Sequence, residues 1–295
     1  MANRYGLQLF LHQPFSPSDV TDPNIIAGIA VSSRGRKFAN YPGGLDMNDT
    51  NTGSNGKYTV AELFSNNTEK AYPSAAMNNP PGGAINRTTS PPTGAGYKDY
   101  LIGVQSVVID SSDTLWILDT GRVIDPTSGM LLSASGNGPK LVAVDLTSNK
   151  VKRTITFSET VAYPDSYLND VRFDLSRGYA YITDSSVEGI NGLITVDLKS
   201  GQSWRHLNND PRVHPEEQFL SFVWGEPVYS VPAPGQPYTY LGFGADGMAS
   251  LLLRTGSGLT NQALLFQRTA KISTGVQWHH DICTRFRQLD YKITA

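Results

Sequence analysis

Cysteine is nearly absent: Cys283 is the only one in 295 residues. That excludes an intrachain disulfide and a thiolate-held metal centre. A surplus of one charge is lacking as well. With 24 Lys and Arg against 26 Asp and Glu, the formal net charge is −2, and the basic residues form no stripe. Phosphate binding needs a basic face, so nucleic acid is not an expected partner. No segment approaches the roughly 18 consecutive apolar residues of a membrane helix, so no membrane partner is expected either. Residues 1–11 hold one basic residue and no uninterrupted apolar core, so a signal peptide is not expected in them. His12, His206 and His214 stand alone, and His279 with His280 lies in an anomalous tail. Zinc-hydrolase spacing is therefore missing, as are the nucleophile elbow, the P-loop and the dinucleotide fingerprint.

What is present is repetition. Residues 28–40, 106–119 and 170–184 each read as a short apolar strand, a polar turn and a second apolar strand. A second hairpin follows each copy: around Tyr58 to Glu62, from Lys140 to Ile155, and from Gly192 to Leu207. Four strands recurring at a period of about 65 to 78 residues are the mark of a β-propeller blade. The 28 Gly and 18 Pro residues suit many short strands joined by turns. The expected fold is all-β, with about four blades present.

The chain divides into a lead-in segment (1–27), propeller blades (28–249) and an aberrant tail (250–295). Residues 43–56 and 73–99 are rich in Gly, Pro, Asn, Ser and Thr and read as long surface loops. After Ala249 a fourth copy of the turn-and-strand pattern should continue, and it stops. Codons compatible with Arg268 to Arg287 permit, one base out of frame, the turn and strand residues of the missing hairpin. The tail is therefore expected to be a frameshifted or unspliced translation. The unpaired blade edge left behind is expected to invite aggregation.

The start of each inner strand crowds one mouth of a propeller channel. Aligning the copies puts Ala27, Gln105, Asn169 and Asp246 there. Amide and carboxylate oxygens converging on an axis suit Ca²⁺ or another hard cation, with Asn169 and Asp246 as ligands and Asp170 as a candidate base. The alternative is that these groups fill a wet channel and bond to neighbouring strands. Asp119 and Arg122 end a strand; they either contact a ligand or hold a turn. Glu226, between blades, is a further ligand candidate. Trp116, Trp204 and Trp224 are expected to pack blade against blade. Asn48, Asn66 and Asn86 open Asn-x-Ser/Thr sequons, the acceptor pattern for N-glycosylation.

Residues 27–32, 101–110, 115–122, 139–146, 166–175 and 180–186 together resemble the major royal jelly protein/yellow protein family, in particular its fungal and bacterial members. The resemblance covers about residues 25–249. It implies a six-bladed propeller and a secreted, often glycosylated, extracellular protein, here expected to be a monomer. The blade openings Asn169-Asp170 and Asp246-Gly247 are also similar to metal-ligand positions of gluconolactonase-like propellers. The family implies no single reaction. The leading expectation is a propeller that binds a small amine or phenolic molecule in its channel, with no established catalysis. Its rivals are a metal-assisted lactonase-like hydrolase, a dopachrome-converting isomerase and a structural or storage glycoprotein.

Overall fold

The computed structural model describes residues 27–42, 58–65, 68–186 and 188–213, and beyond them only short paired strands between 222 and 259. Three four-stranded antiparallel sheets dominate. The first runs β1 (Gly28–Val31), β2 (Lys37–Asn40), β3 (Val60–Leu63) and β4 (Glu69–Ala71). A one-turn helix α1 (Ala75–Asn78) and a small hairpin, β5 (Ile85–Asn86) with β6 (Thr93–Gly94), lead to the second sheet. That sheet holds β7 (Val104–Ile109), β8 (Thr114–Asp119), β9 (Lys140–Asp145) and β10 (Lys150–Thr156). The third is β11 (Leu168–Asp174), β12 (Tyr179–Asp184), β13 (Gly192–Asp197) and β14 (Ser203–His206). Within each sheet the strands pair in chain order, and the first strands β1, β7 and β11 are neighbours across the sheets. These are propeller blades fanned about the line of their first strands, as the repeat predicts.

Sheet-on-sheet packing explains the unbroken apolar strands. In β8, Leu115 and Ile117 face the first blade, while Trp116 and Leu118 face the third. In β9, Val142 and Val144 face the first blade and Leu141 and Ala143 the third. Every residue of β8 is buried. A strand enclosed on both faces has no polar side, so its sequence does not alternate. Between blades two and three, the rings of Trp116 and Phe173 lie 4.9 Å apart, and the Trp116 indole N–H donates to Asp110 at 2.8 Å. Trp204 differs from expectation: it sits on the outermost strand and is 42% exposed, because the blade rim has no neighbouring sheet to cover it.

The first hairpin turns need a left-handed residue. Gly35 and Gly178 supply it in blades one and three, and Asp113 (φ 54°) in blade two. Asp113 accepts the strain of a Cβ there because its carboxylate takes the Ser33 backbone N–H at 2.8 Å and the Ser33 hydroxyl, tying blade two to blade one. Residues 73–99 are more ordered than a plain loop. Buried Asn78 accepts from the Thr59 and Val60 backbone N–H groups and donates to Tyr72 and Ser74 carbonyls. Its side chain supplies the backbone partners that burial demands.

Trp116→Ala removes the largest ring between blades two and three and leaves a cavity. It is expected to cost about 3–5 kcal/mol of stability, read as a lower urea midpoint with circular dichroism. Trp204→Ala, on the exposed rim, should shift the midpoint by no more than about 0.5 kcal/mol.

Candidate functional site

The site grows from two irregularities in the inner strands. Val104 pairs with Asp119 but Ser106 pairs with Leu118, so Gln105 is an extra residue. Leu168 pairs with Asp184 and Val171 with Ile182, so Asn169 and Asp170 face the single residue Thr183. Bulges of this kind re-aim side chains out of the alternation of a strand. Here they turn the amides toward each other across two blades. The Gln105 Nε2 donates to Asn169 Oδ1 at 3.0 Å, and the Tyr167 hydroxyl donates to Gln105 Oε1 at 2.9 Å. One residue deeper, the Ser106 hydroxyl donates to Asp170 Oδ1 at 3.1 Å. The Val171 backbone N–H (2.8 Å) and Arg172 Nη1 (2.6 Å) donate to the same oxygen. Among the described residues, Asp170 Oδ2 accepts no hydrogen bond.

Burial pushes the Asp170 carboxyl above its ordinary range, and Arg172, Val171 and Ser106 oppose that shift without cancelling it. The arrangement presents one carboxylate oxygen with unused lone pairs beside two amides and a phenol. It can accept hydrogen bonds from a ligand or, once ionised, hold a proton or cation.

Of the residues expected at the mouth, the structure brings together Gln105, Asn169 and Asp170. The Ala27 alignment is corrected by register. Gly28, Val104 and Leu168 are the equivalent partners of Asn40, Asp119 and Asp184, so Ala27 precedes the mouth position and Ile29 follows it. Blade one has no bulge: Ile29 follows Gly28 directly where blades two and three insert a polar residue. Asp246, Asn48, Asn66, Trp224 and His214 lie outside the described residues; Glu226 lies in a two-residue strand described by backbone alone. No group of three or more His, Cys, Asp or Glu gathers as a metal centre among the described residues. His206 is half-buried on β14, and burial lowers its pKa.

Asp119 and Arg122 do their bonding inside the protein. Asp119 is fully buried and accepts the backbone N–H groups of Ile102 (2.8 Å), Gly103 (2.9 Å) and Gly121 (2.9 Å). Lys140, equally buried, completes its shell at 2.9 Å and also donates to the Gly138 carbonyl. Gly121 sits at φ 69°, and a Cβ there would lie 2.6 Å from the Gly138 backbone. Arg122, 2% exposed, donates to the carbonyls of Leu132 and Asp165 and to Glu188 at 2.6 Å. Burial raises the Glu188 pKa, but Arg122 pulls it below its ordinary value.

Blade three repeats the corner by a different route. Asp184 accepts the Tyr167 backbone N–H at 2.8 Å, the Ser166 hydroxyl and the Ser186 N–H at 3.1 Å. Its counter-charge is Arg205 at 2.8 Å, from β14. The residue aligned with Lys140 is Gly192, and a Cβ there would meet the Arg205 guanidinium at 2.9 Å. Blade one has Asn40 and, aligned with Lys140, Val60: a neutral corner without a cation. The corners thus fix the segments that lead into Gln105 and Asn169. Sequence reading passed over Tyr167, Ser106 and Arg172. The bulges had a signal in the spacing of core residues, since Val104 to Val107 and Leu168 to Val171 step by three where a regular strand steps by two.

Sheets of this topology, set side by side along their first strands, define a protein of the β-propeller class. Residues 102–232, which begin at the Asp119 corner and take in blades two and three, match the family Major royal jelly protein. The resemblance drawn from the blade motifs is borne out over that segment. No curated protein matches the chain. Among solved structures it is similar to the hydrazine synthase of Kuenenia stuttgartiensis, at 14% identity and TM-score 0.34, over 61% of this chain and 41% of that one. It is also similar to a gluconolactonase of Xanthomonas campestris important in glucose secondary metabolic pathways. There the identity is 12% and the TM-score 0.25, over 62% of each chain. The chain spans less than two thirds of either structure, and neither likeness bears on the chemistry of the channel.

Lys140→Met leaves Asp119 buried and uncompensated, which should cost about 3–5 kcal/mol. Adding Asp119→Asn removes the stranded charge and should recover part of that loss in urea unfolding. Additive losses in the double variant would show that the ion pair is not what couples the two residues.

Proposed function

We propose that this protein binds a small molecule rich in hydrogen-bond donors, an amine or a phenol, at the channel mouth formed by Gln105, Tyr167, Asn169 and Asp170. The observation that supports this reading is the pair of bulges. They break two inner strands in order to set amides, a phenol and a carboxylate in one connected row. Among the described residues Asp170 Oδ2 accepts no hydrogen bond, and the carboxyl keeps 14% side-chain exposure through which a donor can reach it. An ammonium or phenolic O–H supplies the donor that this oxygen lacks. Export to the extracellular space belongs to the same reading and is supported by the family match. No helix among the described residues is long and apolar enough to cross a membrane.

A second reading is supported by the same oxygen. A buried carboxyl with a raised pKa is suited to proton abstraction, so Asp170 is the base of an isomerase or hydrolase if turnover occurs. Calcium held by Asn169 and Asp246 would polarise a substrate carbonyl in that scheme, with Asp170 left free to take the proton.

Calorimetric titration of the full chain with dopamine is the direct test. Wild type should bind, and Asn169→Ala or Asp170→Asn should weaken binding at least about tenfold, or ~1.4 kcal/mol. Equal binding by the variants, or none by wild type, would sink the channel site. Titration with calcium and assays on lactones and dopachrome separate the catalytic reading.

The pH dependence has a definite sign. Because the folded carboxyl of Asp170 is raised, its contribution to stability is present at low pH and lost as pH rises through its folded value. Dopamine binding runs the other way: its ammonium stays charged while Asp170 ionises, so affinity should rise with pH across that titration. Asp170→Asn should flatten both profiles, measured by calorimetry and by thermal melts.

A further inference from the structure

Tyr41 follows β2 and Tyr58 precedes β3, so the two bracket residues 42–57 at their base. The backbone closes that base: the Tyr41 N–H donates to the Thr59 carbonyl and the Thr59 hydroxyl to the Tyr41 carbonyl, each at 2.8 Å. Both rings pack with Ala39 and Ala61, on the face of blade one turned away from blade two. The rings are in edge contact, with centroids 6.1 Å apart. Their hydroxyls converge on one carboxylate from β4. Tyr41 donates to Glu69 Oε2 at 2.5 Å and Tyr58 to Glu69 Oε1 at 2.6 Å. Tyr41 is 4% exposed, Tyr58 is half-buried and Glu69 is exposed. Two phenols aimed at the two oxygens of one carboxylate gather the ortho ring carbons, those beside the hydroxyls, at one place. A biphenol made by joining those carbons can keep both bonds to Glu69.

We propose that Tyr41 and Tyr58 are a site of oxidative coupling, joined by a dityrosine bond that staples blade one across residues 42–57. The oxidant is hydrogen peroxide acting through a haem peroxidase, which takes electrons one at a time. Each phenol gives up one electron and its hydroxyl proton. Glu69 takes the protons in turn and, being exposed, passes them to water. The paired radicals join through their ortho carbons: a C–C bond forms, the C–H bond on each of those carbons breaks, and both oxygens end as hydroxyls. Two phenols and one hydrogen peroxide give one biphenol and two waters. Half-buried Tyr58 is the ring the oxidant reaches, and edge contact lets buried Tyr41 be oxidised through it. Coupling within the pair outruns coupling to a phenol from solution because both rings are already in place. Tyr97 and Tyr100 are another pair in edge contact, at 5.5 Å, but Tyr97 gives its hydroxyl to the Pro81 carbonyl, which takes no proton. With Cys283 as its only cysteine, the chain has no disulfide to serve as such a staple. None of these groups belongs to the channel mouth.

The test is the full chain treated with a haem peroxidase and hydrogen peroxide, then digested and read by mass spectrometry and dityrosine fluorescence. A peptide joining Tyr41 to Tyr58, lighter by two hydrogens than its separate parts, is expected, with Tyr97 and Tyr100 left uncoupled. Tyr58→Phe should abolish it. Glu69→Gln, checked for an unchanged circular dichroism spectrum, should slow its formation at least about tenfold, because an amide cannot take the proton. The coupled chain should unfold at higher urea than the untreated chain, since the bond restricts the unfolded state across residues 41–58. No such peptide from wild type, coupling of Tyr97 with Tyr100 in its place, or joining of separate chains only, overturns the site. The wild-type peptide map decides this whether or not the Glu69 variant folds. An unchanged rate in Glu69→Gln overturns its part as proton acceptor, and an unchanged urea midpoint overturns the staple.

Discussion

Buried carboxylates at the ends of the second strands hold the fold in register, and the site depends on them. Asp119 and Asp184 each collect backbone N–H groups from the segment entering the inner strand, and each meets one buried cation. An ion pair out of water gives little net stability by itself. What it gives here is position. Asp119 fixes Ile102 and Gly103, two residues before Gln105, and Asp184 fixes Tyr167, whose phenol orients the Gln105 amide. The chain of constraint runs from a corner charge to a backbone segment, then to a bulge, then to the groups that face the channel.

Much of the architecture could be read before any coordinates. The three copies of strand, turn and strand correspond to β1–β2, β7–β8 and β11–β12, and the second hairpins follow as expected. They are legible because sheets packed on both faces leave long apolar runs such as Thr114–Asp119, punctuated by turn residues. The candidate site was legible only in outline. Gln105 and Asn169 stood out as polar residues at strand starts, but their meeting depends on bulges that shift register by one residue, and Ala27 was misaligned for want of one. Tyr167 precedes its strand and carries no motif. Arg172 reads as a solvent-facing alternation residue until the bulge brings Asp170 beside it. Residues 73–99 looked like loop because a single side chain, Asn78, replaces the sheet partners that pattern reading seeks.

Polar composition has two different origins in this molecule. At the corners, polar atoms are saturated and inaccessible, as with Arg122 and its three carbonyl partners. At the mouth they form a row with an unpartnered oxygen among the described residues. Sequence alone presents both Asp119, which ends a strand, and Asp170, which opens a blade, as candidates. Geometry separates them, because one is enclosed by four donors and the other has three donors on one oxygen only.

The corners also reveal how the repeat has lost its interchangeability. Lys140, Gly192 and Val60 stand at one aligned position, facing Asp119, Asp184 and Asn40. A lysine answers the first acid from its own partner strand; a glycine makes way for an arginine one strand further out; a valine faces an amide that needs no counter-charge. Each third strand is therefore matched to its own blade, and grafting β13 in place of β9 would strand an acid beside a glycine. A motif copied three times has become three parts that no longer fit one another's places.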